Sequence, residues 1–163
     1  MKKLLAFFIL LAVPLLALAG EGDYEMPADV YNALVYTSKS PTNIQNISSK
    51  NKKKVELVQG LIFVQIGNQY CRPCIEMVKF LQAEGIIDNW QESGVRFFKI
   101  NNITEREKYD TSSVKLTDLW GVKKIPHLMV LKDGKEVAHK VGFSSNNSQE
   151  FLNKIQELTK AYK

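Results

Sequence analysis

The sequence predicts an α/β fold, a three-layer sandwich with a mixed central β-sheet flanked by helices, and three observations predict it. Leu61 to Gly67 is a short, almost wholly apolar run of the kind shown by a strand covered on both faces. It leads into a segment where Ile75, Val78, Leu81 and Ile86 recur at helical spacing with Glu76, Lys79 and Gln82 between them. Further on, Asp133-Gly134 separates the runs His127 to Leu131 and Glu136 to Val141, a strong two-residue hairpin signal. A strand-helix-strand start calls for a parallel pair and a hairpin finish for an antiparallel one, so the sheet is mixed.

The elements follow in order. Lys2 and Lys3, the apolar run Leu4 to Leu16 and the small residues around Leu18 read as a secretory signal, residues 1–19, cut after Ala19. The alternative, a retained anchor, would need about twenty apolar residues to span a bilayer. No cysteine follows Ala19, so a lipid anchor at that cut would have no attachment point. Residues 20–54 read as an extension: a short helix over Ala28 to Tyr36 with Val30, Ala33 and Leu34 on one side, then a polar loop from Ser38 to Lys54. The main domain occupies residues 55–163. Within it Gly85 kinks or ends the first helix, Ile87 to Trp90 continues a second piece, and Val95 to Ile100 is a further buried strand. Asn101 to Val114 is polar, an inserted loop or helix start. Leu116, Leu119 and Trp120 suggest a short helix that Gly121 ends. Ser148 to Tyr162 closes the chain as an amphipathic helix with Phe151, Leu152, Ile155 and Leu158 inward, and Asn147 with Glu150 has capping-box spacing.

Charge excludes little and implies less. The formal net charge of +5 falls to +3 once Lys2 and Lys3 are removed with the signal, 20 basic against 17 acidic side chains, so nucleic acid is not an implied partner. The lysines at 50 and 52–54 have no interleaved aromatic residues and read as a solvated stretch.

The two cysteines, Cys71 and Cys74, stand three apart where strand passes into helix. A bridge closing so short a loop has little leverage on the unfolded chain, which argues for chemistry over stapling. The first thiol would sit at a helix N-terminus, where unpaired amides and the helix dipole favour an anion, so Cys71 is the expected attacking group. Cys74, one turn in, can then attack a mixed disulfide formed on Cys71. Arg72 adds a positive charge beside it, worth no more than about 1 kcal/mol at a surface. Pro73 suits a first helical turn, where its missing amide hydrogen is not needed. Two alternatives stand beside this reading. Half of a zinc site would need two more ligands, with His127, His139 and carboxylates as the candidates. An inert structural disulfide would make the helix-start placement a coincidence.

The run Gly60 to Cys74, with Gly121-Val122-Lys123-Lys124-Ile125-Pro126-His127-Leu128 and the residues on to Lys135, resembles thioredoxins. The likeness extends over roughly Val55 to Ala161. It implies a thioredoxin fold, a cis peptide at Pro126 facing the Cys pair, and an Ile125 backbone that pairs with an extended substrate. An ordinary edge-strand proline is the alternative at Pro126. Tyr70 stands where thioredoxins usually carry Trp, and Gln65 where many carry a buried acid. Glutamine cannot take a proton, so base assistance to Cys74 would fall to another group, to water, or to nothing. Lys99, the usual partner of that acid, is then expected to reach to solvent. His127 replaces a small polar residue, either contacting a partner or influencing the thiolate, or standing as a partly exposed strand histidine.

The resemblance and the signal together suggest a periplasmic thiol:disulfide oxidoreductase whose only redox group is the Cys71-Cys74 pair, with no other cofactor and no metal. A monomeric dithiol reductase is expected, acting on periplasmic disulfide proteins or thiol adducts and fed by a membrane thiol-reductant donor protein, since no nucleotide or flavin motif is present. In outline it is similar to sulfur-oxidation-associated thioredoxins. A disulfide-donating oxidase, or a copper- or partner-binding module using the Cys pair and His127, are the alternatives.

Overall fold

The computed structural model describes residues 24–39, 49–109 and 115–163. The expected signal segment lies outside them, as does residue stretch 40–48 of the expected polar loop. The described elements are α1 (Ala28–Lys39), α2 (Ser49–Glu56), β1 (Leu61–Gly67), α3 (Arg72–Ala83), α4 (Ile86–Glu92), β2 (Arg96–Asn101), α5 (Glu105–Tyr109), α6 (Leu116–Leu119), β3 (His127–Lys132), β4 (Lys135–Val141) and α7 (Ser148–Tyr162).

The strands lie in the order β2-β1-β3-β4. β1 runs parallel to β2, from Ile62 beside Arg96 to Gly67 beside Asn101, and antiparallel to β3, with Ile66 opposite His127. Side chains alternate across the sheet, so its two faces build two cores. Phe63, Leu128 and Val130 pack with Met77 and Leu81 of α3, Trp90 of α4 and Phe151 and Ile155 of α7. Ile62, Val64, Ile66, Met129 and Leu131 pack with Tyr31 and Leu34 of α1 and Leu116 of α6. Burial on both faces is why all seven positions of β1 are buried and why its sequence shows no polar alternation. Trp90 lies flat on Phe63, ring centroids 4.0 Å apart, and its indole N–H donates to the Thr159 hydroxyl at 3.0 Å. A large aromatic is thereby buried without an orphaned donor.

The hairpin between β3 and β4 has the geometry its residues predict. Asp133 and Gly134 both have positive φ, 52° and 75°, as a two-residue turn of this hand requires, and the Asp133 carboxylate accepts the Gly60 N–H at 2.8 Å. At the opposite edge the chain covers its own sheet. The Lys99 N–H donates to the Tyr24 carbonyl and the Met26 N–H to the Lys99 carbonyl, making a short parallel bridge at Glu25.

Four expectations need correction. Helix α1 runs on to Lys39, three residues past the expected end. Ser49–Glu56, where the expected loop reached as far as Lys54, is helical: Lys52 and Lys53 are exposed, Lys54 sits over the Tyr36 ring, and Val58 just beyond is fully buried. Residues 101–109 are more than a polar insertion, because Glu105 on α5 is fully buried, while residues 110–114 of that expected stretch lie outside the described residues. Its carboxylate accepts from the Tyr31 hydroxyl at 2.7 Å, the Thr117 hydroxyl at 2.6 Å and the Thr117 N–H at 3.2 Å, while the Tyr31 oxygen accepts the Leu116 N–H. The capping box is not made. A 3-10 turn, Ser145–Asn147, precedes α7, Asn147 has a near-helical backbone with no side-chain cap bond, and Ser144 caps the turn instead. An N-cap works from extended backbone, which Asn147 lacks.

Candidate active site

β1 ends at Gly67, and four residues carry the chain into α3. Asn68 shapes that loop: its side-chain oxygen accepts the Tyr70 N–H at 3.0 Å and its carbonyl the Cys71 N–H at 3.2 Å. Cys71 is the N-cap of α3, with extended backbone, and its sulfur accepts the Cys74 N–H at 3.3 Å. The two cysteines form a disulfide with Cα atoms 5.2 Å apart. They are unequal. Cys71 is partly exposed while Cys74 is 3% exposed, so a second sulfur arriving from solvent meets Cys71 first. Unpaired amides at the helix start favour negative charge on the Cys71 sulfur once the bond is broken.

Around the pair, Tyr70 is 80% exposed and presents a flat aromatic face. Arg72 is turned along the helix, its Nε donating to the Glu76 carboxylate at 2.7 Å, so its charge is already partly answered. Pro73 is exposed in the first turn of α3, where no N–H is missed. The Ile125–Pro126 peptide is cis. Because His127 stands opposite Ile66, Pro126 falls level with Gly67, at the end of the sheet from which the cysteine loop departs. The Pro126 carbonyl accepts the Gly142 N–H at 2.8 Å, and Ile125 packs against the second core.

His127 departs from the partly exposed strand histidine that was one expectation: it is buried, with its ring centroid 5.0 Å from that of His139. Burial first, then the neighbouring His139, holds its pKa below the ordinary value, against opposing pulls from Glu136 and the Lys124 backbone. The Lys124 pull is weak, since neither ring nitrogen meets a partner in hydrogen-bonding geometry among the described residues. His127 is thus a neutral group at neutral pH, on the face of the sheet that carries Met129 and α1, the opposite face from Gln65 and α3.

Gln65 lies beneath the cysteines. It neighbours Lys99 on β2, is 2% exposed, and its Nε2 has no hydrogen-bond partner among the described residues. Gly67 shows how closely these groups meet. A Cβ there would stand 2.6 Å from Gln65 Nε2, 2.7 Å from Cys74 Sγ and 2.9 Å from Cys74 Cβ. Beside them opens a cavity of about 280 Å³, lined among others by Glu25, Gln65, Cys74, Val78 and Lys99. Lys99, expected to reach away to solvent, is half-buried along this cavity. Sequence reasoning did not find Gly67 or Glu25. A glycine closing an apolar strand just before a Cys pair is a usable signal, because such glycines mark close backbone approach. Glu25 carries no such signal.

No protein-family model and no curated protein matches the chain. Among solved structures, the germline-specific thioredoxin Deadhead (thioredoxin-1) of Drosophila melanogaster is similar at 20% identity, over 66% of this chain and 90% of its own, with a TM-score of 0.47. The oxidised thioredoxin of Plasmodium falciparum is similar at 16% identity, over 67% of this chain and 92% of its own, with a TM-score of 0.45. Strand order, strand directions and the cysteine pair at the start of α3 decide the architecture. The fold is that of the thioredoxins. What this thioredoxin fold can do chemically is exchange: a partly exposed sulfur can be attacked, and a buried one lies within bonding reach to displace whatever is attached to it.

Proposed function

We propose that this chain is an exported thiol:disulfide oxidoreductase that works as a dithiol reductase in the periplasm. The observation that carries the reading is the unequal pair at the start of α3, one sulfur at the rim and one buried. In the proposed reaction the Cys71 thiolate attacks a substrate disulfide, forming one S–S bond and releasing one substrate thiolate, which takes up a proton. The Cys74 sulfur, giving up its proton, then attacks Cys71, closing the intramolecular bond and releasing the second substrate thiol. Two electrons and two protons pass to the substrate, and the protein is left oxidised.

Tyr70, Arg72 and Pro73 would border the substrate on the helix side, and Ile125 and Pro126 on the sheet side, while the buried His127 ring, expected from the sequence to touch a partner, faces the other side of the sheet. The Ile125 backbone would pair with an extended stretch of substrate, with Pro126 keeping the approach to the disulfide shaped. The partners would be disulfide-bearing periplasmic proteins, and the electrons would return through a membrane thiol-reductant donor protein. Reduction is favoured over oxidation because Pro73 and Ile125-Pro126 resemble the reducing thioredoxins and because Arg72 is engaged by Glu76.

Equilibration of the mature protein with glutathione or dithiothreitol buffers tests the direction. A potential close to about −270 mV supports a reductase, and one close to about −120 mV overturns it in favour of a disulfide donor. A Cys74→Ser variant should trap mixed disulfides with periplasmic proteins through Cys71; a variant that traps none in a periplasm full of oxidised substrates refutes the two-step exchange. Secretion with a mature N-terminus at Gly20, read by mass spectrometry, tests export.

A further inference from the structure

In the oxidised protein the Gln65 amide is a buried hydrogen-bond donor with no acceptor among the described residues, and it lies close to the sulfur that would become an acceptor on reduction. Its Nε2 and the Cys74 sulfur both lie under 3 Å from the point where a Gly67 Cβ would stand. A disulfide sulfur is a weak acceptor, whereas a thiolate accepts a strong, charge-assisted bond. The adjoining cavity leaves room for the freed Cys74 side chain to turn toward the amide. We infer that Gln65 donates a hydrogen bond to the Cys74 sulfur in the reduced protein, and that this amide stabilises the resolving thiolate in a site that has no buried acid to take its proton.

The inference rests on the thiol-disulfide reading above and deepens it. Breaking the disulfide gives the amide an acceptor, and forming it strands the amide again, so Gln65 favours the dithiol over the disulfide. The charged groups that face the same cavity are Lys99 from β2 and Glu25 from the N-terminal segment, and Glu25 is itself paired with Lys108 of α5. The couple is balanced: the disulfide and two glutathione thiols become two protein thiols and one glutathione disulfide, with two electrons and two protons transferred.

The test is Gln65→Met, which keeps length and removes the donor. Equilibrated with glutathione at a pH above the Cys74 alkylation midpoint, where the reduced sulfur is ionised, it should favour the disulfide about tenfold more than the parent does, a potential more negative by about 30 mV. In a Cys71→Ser background, where Cys74 is the sole thiol, the pH midpoint of Cys74 alkylation should rise by about one unit with Gln65→Met, the same factor read directly on the sulfur. A purely structural role for Gln65 would lower thermal stability and move neither quantity. An equilibrium within twofold of the parent together with an unmoved alkylation midpoint overturns the inference. If Gln65→Met does not fold, the side-chain amide signals of Gln65 in the unmutated protein decide by nuclear magnetic resonance: a shift with slowed hydrogen exchange on reduction is expected, and unchanged signals overturn it. A parent protein that exchanges with glutathione but is indifferent to Gln65 removes this inference alone. One that does not exchange at all removes the functional reading with it.

Discussion

Replacing Gly67 by alanine should separate the oxidised and reduced proteins in stability. The backbone at this position is ordinary strand, without a positive φ, so the penalty is entirely one of space. The new methyl would stand 2.6, 2.7 and 2.9 Å from Gln65 Nε2, Cys74 Sγ and Cys74 Cβ, all closer than carbon tolerates. The amide is the end of a flexible chain and can give way. The sulfur cannot while it is bonded to Cys71, and the Cys74 Cβ is fixed by α3 in both states. Overpacking of a tight core costs about 1–3 kcal/mol, which at about 4 °C per kcal/mol lowers the melting temperature of the oxidised domain by roughly 4–12 °C. After reduction the Cys74 sulfur is free to rotate out of the way, so the loss should be smaller. The difference must reappear in the redox equilibrium, about tenfold toward the dithiol for each 1.4 kcal/mol. Thermal unfolding of both forms by circular dichroism, with glutathione equilibration as the cross-check, measures it. An alanine variant whose oxidised form melts with the parent, or whose reduced form loses more, refutes the packing described here.

Other sites give further expectations. Tyr31→Phe removes the hydroxyl that links Glu105 to the Leu116 N–H, leaving a buried donor unmatched, and should lower the urea-derived stability by about 1–3 kcal/mol; a midpoint equal to the parent's would show that the network is not coupled to folding. His127 is held below its ordinary value of 6.5, so its neutral form favours the fold: that contribution is whole above pH 6.5 and is lost as the pH falls through the lower folded-state value. His127→Thr should flatten this part of the stability profile, and an unchanged acid slope in urea melts counts against it. Trp90→Ala removes the ring stacked on Phe63 and should cost about 3–5 kcal/mol, read from the same melts, with a loss under about 1 kcal/mol showing that the stack contributes little.

The sheet and the cysteine pair were legible because their signals are local. An uninterrupted apolar strand, an Asp-Gly turn and a Cys-x-x-Cys at a helix start each state their geometry within a few residues. What escaped depends on partners far along the chain. Glu105 lies in a stretch that reads only as polar until Tyr31, 74 residues earlier, and Thr117 supply its hydrogen bonds. The lysines of α2 read as loop because the apolar contact that anchors them, Val58, lies past the helix. His127 could be read as partly exposed because strand alternation does not tell which face is covered, and here α1, from the segment set aside as an extension, lies on its side of the sheet. Asn147 failed for a local reason: a tight turn took up the residues that a capping box needs.

The bridge at Glu25 also bears on how copies of this chain avoid one another. A strand at the rim of a sheet offers unpaired amides and carbonyls to any passing strand. Along β2 the Lys99 groups are already engaged by Tyr24 and Met26, contributed from the same molecule. The other rim, β4, carries Lys135, Glu136, His139 and Lys140, charges that would be forced together in a β-paired dimer. Shortening the chain past Met26 would therefore do more than trim a loose start: it would bare a rim of the sheet, and the truncated protein should aggregate by strand pairing at concentrations where the longer one stays dispersed.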